Sequence, residues 1–224
     1  MRKLEVCCSN IESVRAAKEA GADRIELCTA LETGGVTPSI GLIREAVNVF
    51  GKGVFVLIRE RAGDFVYSPA ELKVMKDDIR AAVKAGVSGV VIGALTPENE
   101  IDLEGLKFMM EAAEGVDVTF HRAFDETADP LKALESVIEA GCHRILTSGH
   151  APTAPEGLSL LKELNDKAAD RIIILAGSGV TSENAATILN ESGCREIHGS
   201  AKEKYHGTFK SEVEEIRKIK NAIS

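Results

Sequence analysis

One phrase recurs four times along the chain: Glu19-Ala-Gly-Ala-Asp-Arg-Ile-Glu-Leu27, Lys84-Ala-Gly-Val-Ser-Gly-Val-Val-Ile92, Glu139-Ala-Gly-Cys-His-Arg-Ile-Leu-Thr147 and Glu191-Ser-Gly-Cys-Arg-Glu-Ile-His198. Each copy reads as the same structural event: a polar-faced helix stops at a glycine (Gly21, Gly86, Gly141, Gly193), and a short apolar strand follows. The glycines are 65, 55 and 52 residues apart, about twice the span of one strand-plus-helix unit. A second set of strands must therefore lie between the copies. Apolar, β-branched runs at Leu4 to Cys8, Val54 to Arg59, Val116 to Arg122 and Arg171 to Ala176 supply it, giving eight strands in 224 residues, or 28 residues per unit.

Helix starts are marked between the strands. Ser68-Pro-Ala-Glu71 and Ser211-Glu-Val-Glu214 read as capping boxes, and Thr37-Pro38 and Asp129-Pro130 place a cap before a first-turn proline. Strict alternation of strand and helix implies a parallel sheet, and eight units in one domain favour a closed (β/α)8 barrel over an open doubly wound sheet. No Pro/Gly/Ser-rich linker or charge block divides the chain, so residues 1–224 read as a single domain.

The composition is that of a globular protein, 44% hydrophobic and 28% charged, with a formal charge of -8 that opposes general affinity for nucleic acid or an anionic membrane. The longest charge-free stretch, Gly86 to Pro97, is far short of the roughly 18 apolar residues of a bilayer span. Met1-Arg-Lys3 leads directly into the first strand without a signal-peptide segment, so a soluble, cytoplasmic protein is expected. Five cysteines without a Cys-x-x-Cys pair argue for reduced thiols rather than a disulfide framework.

In such a barrel chemistry belongs at the carboxyl ends of the strands. Along the first two strands Leu4, Val6, Cys8, Ile25 and Leu27 should face the helices, which sends Glu5, Cys7, Glu26 and Cys28 into the lumen. The same parity turns Leu57, Arg59, Thr119, His121, Glu196, His198 and Ser200 inward. Cys7 and Cys28 could reach a soft ion such as Cu(I), with His121 and His198 as further ligands. Alternatively the thiols pack as small hydrophobes while Glu5 and Glu26 neutralise Arg59, Arg61 or Arg122. Cys8, Cys142 and Cys194 read as structural, and His143 and His206 receive no role.

Two other groups of residues point to a small anion. Ala176-Gly-Ser-Gly-Val180 and His198-Gly-Ser-Ala201 follow strands seven and eight, where the amides of Gly177, Gly179, Gly199 and Ser200 could cradle a phosphate or carboxylate. Two tight turns would use the same glycines. Thr119-Phe-His-Arg-Ala-Phe-Asp125 offers His121 as acid, base or ligand beside Arg122 and Asp125, and Arg59-Glu-Arg61 adds two guanidiniums. No lysine lies in the carboxyl half of a strand for Schiff-base chemistry, and no nucleophile elbow, Walker loop or dinucleotide fingerprint is present.

Several longer segments together resemble the copper homeostasis protein CutC family: Leu4-Glu-Val-Cys-Cys8, Gly21-Ala-Asp-Arg-Ile-Glu-Leu-Cys28, Gly34-Gly-Val-Thr-Pro-Ser39, Ile58-Arg-Glu-Arg-Ala-Gly-Asp-Phe-Val-Tyr-Ser68, Val118-Thr-Phe-His-Arg-Ala-Phe-Asp125 and Arg144-Ile-Leu-Thr-Ser-Gly149. The resemblance implies a cytoplasmic, often oligomeric (β/α)8 barrel with a part in copper handling, and copper cysteines matching Cys7 and Cys28. The chain departs from the family's usual third-loop pattern at Glu60 and Ala62. Two functions compete at this point. One is a Cu(I)-binding homo-oligomer. The other is an isomerase or lyase acting on a small phosphorylated or carboxylated metabolite, in which Glu5, Glu26 and His121 move protons and Arg59, Arg61 and Arg122 clamp the ligand.

Overall fold

The computed structural model describes residues 2–206 and 208–224. Eight parallel strands close into a barrel in sequence order: β1 (Lys3–Cys8), β2 (Arg24–Leu27), β3 (Val54–Leu57), β4 (Gly89–Ile92), β5 (Asp117–Phe120), β6 (Arg144–Thr147), β7 (Ile173–Gly177) and β8 (Glu196–Gly199). Helices α1 (Ile11–Glu19), α2 (Ile40–Phe50), α3 (Pro69–Lys84), α4 (Leu103–Met110), α5 (Pro130–Ala140), α6 (Leu158–Ala168), α7 (Ala185–Ser192) and α8 (Val213–Ile223) form the outer ring. The expected (β/α)8 barrel is therefore the observed fold. Between β8 and α8 lies an antiparallel pair, β9 (Lys202–Tyr205) and β10 (Thr208–Ser211), that periodicity did not anticipate.

The four repeat glycines all have positive φ, from 74° to 89°, which is what lets each helix stop one residue short of the turn into its strand. Ser68 closes α3 in a reciprocal capping box with Glu71, and Asp129 caps α5 ahead of Pro130, both as expected. Two other starts differ. Ser39, not Thr37, caps α2; the Thr37 hydroxyl instead accepts from the Arg59 amide at 2.9 Å and ties the second loop to the end of β3. Ser211 belongs to β10, so Glu212 caps α8.

Strand parity sorts the interior into two layers. Leu4, Val6, Cys8, Ile25 and Leu27 pack in the large apolar layer between strands and helices, while Cys7, Cys28, Phe55, Leu57 and Val91 form a separate cluster inside the barrel. The parallel registers pair Glu5 with Arg24, Cys7 with Glu26 and Gly177 with His198, so the lumen is stacked in tiers. Among the described residues no helix is long and apolar enough to cross a membrane.

Candidate functional site

The lowest tier is a buried ion network. The first position of the strands that follow the repeated phrase, β2, β4, β6 and β8, is occupied by Arg24, Gly89, Arg144 and Glu196. Glu196 Oε2 accepts from Arg24 at 2.6 Å and from Arg144 at 2.9 Å, and Glu5 pairs with the Arg24 Nε. Both guanidiniums lie over the Phe55 ring, 5.0 and 5.3 Å from its centroid. Gly89 makes room for that ring, since a Cβ there would stand 2.3 Å from Phe55 Cε1. Arg59, Arg61 and Arg122 are therefore not the partners of Glu5. Arg24 and Arg144 are, because they enter the lumen from the starts of their strands, level with the carboxylates.

Above this floor Cys7 and Cys28 approach to 3.8 Å between sulfurs, both buried on the cavity wall. His198 Nδ1 lies 2.8 Å from Glu5 Oε1, and its Nε2 lies 3.5 Å from Glu26 Oε2. Burial opposes charge at all of these groups, and the neighbours decide which ones keep it. At Glu5 the Arg24 charge and the His198 contact overcome burial and hold the carboxyl down at about 2. At Glu26 burial prevails and raises the carboxyl above its ordinary value. Burial disfavours the His198 imidazolium, but the Cys7 sulfur, Glu26 and Glu5 override it and push the ring well above its usual pKa. Cys7 is also raised, first by sharing a proton with Cys28 and then by burial. One atom each from Cys7, Glu26 and His198 falls within a common 4.8 Å, a spacing that a metal ion could bridge.

His121 sits one residue past β5 with its ring in a groove that only a glycine at position 93 leaves open. Its Nδ1 accepts from the Ala123 amide at 3.1 Å, so the ring proton resides on Nε2, which has no partner among the described residues. Burial, and then the Arg59 charge, hold His121 down at about 3, so it is a neutral donor at physiological pH. Arg59 donates to the carbonyls of Thr33 (3.3 Å), Gly35 (3.1 Å) and Gly63 (2.5 Å), and its guanidinium covers the Phe65 ring at 4.7 Å. It organises the loop rather than standing free as a clamp. Arg61 turns to Glu71 (2.5 Å) and Asp64 (3.0 Å) and is not on the cavity wall, which corrects its expected place beside an anion.

The carboxyl ends of the strands surround a cavity of about 720 Å³. Cys7, Glu26, Cys28, Arg59, His121, Arg122, Gly179, His198, Gly199 and Ser200 all line it, so the barrel brings together most of the residues singled out in the sequence. Glu5, Asp125 and Gly177 do not line it. Glu5 is sealed in the ion network, which removes it as a proton-transfer candidate in contact with a ligand. Asp125 binds Arg122 (2.8 Å), the Thr147 hydroxyl (2.5 Å) and the Ser148 amide (3.1 Å), holding the fifth and sixth loops together. Gly177 is a spacer, because a Cβ there would meet Leu146 at 2.5 Å and His198 at 3.2 Å.

The CutC family model matches residues 2–203. The chain belongs to the CutC family. It is 50% identical to the protein CutC of Pasteurella multocida over 200 residues, 89% of this chain and 82% of that one. It is 48% identical to the CutC of Bacteroides thetaiotaomicron over 215 residues, 96% of this chain and 86% of that one. Among solved structures it is similar to a protein from Streptococcus agalactiae described as copper homeostasis protein CutC, with a TM-score of 0.84 and 36% identity over 89% of this chain and 99% of that one. An N-(5'-phosphoribosyl)anthranilate isomerase from Pyrococcus furiosus, at TM-score 0.64 and 13% identity over 100% and 98% of the two chains, shares the fold alone.

Within this CutC-family barrel the residues that sequence reasoning passed over are Arg24, Arg144 and Phe55. The signal was available: Arg24, Arg144 and Glu196 hold the same position of the repeated phrase, two residues before or level with luminal carboxylates. Inward parity placed Glu5 and Glu196 in the lumen but was not extended to Arg24, Phe55 and Arg144 near the starts of their strands, so the carboxylates of the floor were seen without their partners.

Proposed function

We propose that this CutC-family barrel binds Cu(I) through Cys7 and Cys28. The observation that carries the reading is the pair of buried sulfurs 3.8 Å apart, facing the cavity from adjacent strands. Two thiolates suit a soft monovalent ion of low coordination number and are poor ligands for hard cations, which prefer oxygen. The histidines are less suitable. His198 is held at both ring nitrogens by carboxylates that favour its proton, and His121 has spent Nδ1 on a backbone amide and carries hydrogen on Nε2. The ligand set thus reduces from Cys7, Cys28, His121 and His198 to the two thiols. A cytoplasmic homo-oligomer fits this reading, since all five cysteines are free thiols and a reducing compartment keeps them so.

Because the Cys7 thiol sits well above its ordinary pKa, binding must displace a proton, and affinity should climb with pH. Competition against a chromophoric Cu(I) chelator under anaerobic conditions tests both points. The wild-type chain should retain Cu(I) more tightly at pH 8 than at pH 6, and the Cys7→Ser/Cys28→Ser chain should lose it at either pH. Equal affinity in the two chains would remove the thiols as ligands.

A further inference from the structure

The mouth also contains buried donors that the thiol pair does not involve. His121 Nε2 and Arg59 Nε lack any hydrogen-bond partner among the described residues, although both side chains belong to residues more than nine-tenths buried, at 4% and 6% exposure. Buried polar groups in folded proteins are almost always satisfied, so two neighbouring N–H groups without an acceptor mark a place where an acceptor oxygen belongs. The Phe65 ring covers them: its centroid is 4.9 Å from that of His121 and 4.7 Å from the Arg59 guanidinium carbon, and it forms part of the cavity wall. Both nitrogens are buried behind that ring, so access to them requires it to move aside. His121 is neutral down to about pH 3, so it remains a donor without needing to gain a proton.

The same cavity wall carries a second set of donors. The amides of Gly179, Val180 and Ser200, in the loops after β7 and β8, donate to no described residue. Backbone N–H groups left without an acceptor at this corner of a barrel favour an oxyanion. Two acidic residues on that wall are already engaged: Glu212 caps α8, and Glu215 accepts from the Ser182 amide at 2.7 Å and its hydroxyl at 3.0 Å. A cavity of about 720 Å³ is ample for a small metabolite.

We propose that the mouth binds a small organic phosphate bearing a second carboxylate or carbonyl oxygen, the phosphate resting on the amides of Gly179, Val180 and Ser200 and the second oxygen accepting from His121 Nε2–H and Arg59. This goes beyond the copper reading and uses neither thiol, so failure of either leaves the other standing.

The test uses the full chain, kept free of copper by a chelator, with inorganic phosphate, glycolate and 2-phosphoglycolate as probes. Calorimetry should show 2-phosphoglycolate binding about tenfold or more tightly than either fragment. Nitrogen NMR of the histidine rings should show the His121 Nε2–H resonance moving with 2-phosphoglycolate, a readout in the wild-type chain that no folding defect can mimic. His121→Phe keeps a ring under Gly93 and should lose about tenfold or more of the 2-phosphoglycolate affinity while inorganic phosphate binds as before. Phe65→Ala uncovers both donors without removing them and should bind 2-phosphoglycolate at least as tightly as the wild type. A His121 resonance that stays still at saturating probe, or 2-phosphoglycolate binding no tighter than inorganic phosphate, overturns the proposal.

Discussion

Glu196 shows how much a single side chain decides in this barrel. It answers two buried guanidiniums, Arg24 and Arg144, whose other carboxylate partners are Glu5 for Arg24 and the half-exposed Asp117 for Arg144. Removing one partner from a buried ion network leaves uncompensated charge, which costs far more than the network contributes relative to an apolar replacement. Glu196→Ala should therefore destabilise the fold by about 3–5 kcal/mol, measured as a shifted urea midpoint at constant slope. A loss under about 1 kcal/mol would mean that water reaches the floor and screens the arginines. Gly89→Ala acts by sterics at the same level: its methyl would overlap the Phe55 ring, and overpacking of this kind costs about 1–3 kcal/mol. Burial of these arginines was hard to read because Lys and Arg are usually surface residues, and only register shows that Arg24 and Arg144 meet one glutamate from opposite sides.

At the scale of elements, the boundaries set by local chemistry were the legible ones. The Ser68–Glu71 box, Asp129–Pro130 and the four positive-φ glycines need only neighbours within a turn, so they can be recognised one segment at a time. Ser68→Ala should cost about 1 kcal/mol, seen in thermal or urea unfolding, with the cavity unchanged. The β9–β10 hairpin was invisible for the opposite reason. Lys-Glu-Lys-Tyr is mostly exposed, Thr-Phe-Lys-Ser runs from exposed Thr208 to buried Ser211, neither has an alternating apolar face, and the pair is held by distant contacts. Asn10 donates to the Phe209 carbonyl at 2.8 Å, and Ser13 accepts from the Ser211 amide at 2.9 Å. Thr37 was misread similarly, since its hydroxyl serves Arg59 across a loop rather than a helix start.

For the molecule as a whole, the buried titrating groups set the pH response. His121 is held at about 3 against an ordinary 6.5, so its neutral ring contributes stability that is full above 6.5 and is lost as pH falls toward 3. Glu5, held at about 2 against 4.5, contributes stability that is full above 4.5 and is lost as pH falls further. His198 works in the other direction: raised above 6.5, it stabilises fully below that value and loses its contribution as pH rises through its own higher pKa. Urea unfolding from pH 7 to 3 should show stability falling in two stages, the first beginning near 6.5 and the second near 4.5. His121→Phe should flatten the first stage and leave the second. Because Glu26, raised by burial, gains stability as pH falls and opposes His121 in this window, the deciding quantity is the difference between the two chains. No difference between 6.5 and 4.5 would show that His121 is not buried as a neutral ring.

The repeated phrase, its glycines and its alternating strands determined a (β/α)8 barrel and the inward aim of Cys7, Glu26, Cys28 and His198, because turn geometry and side-chain parity are local properties that each segment carries by itself. Which luminal charges meet was decided only by closure of the sheet. Closure sets Glu5 between Arg24 and His198, brings the fifth strand's His121 under a loop from the third, and leaves Glu26 uncharged more readily than Glu5. Those outcomes depend on distances between residues far apart in the chain, and on the loss of solvent around them, neither of which a linear sequence expresses.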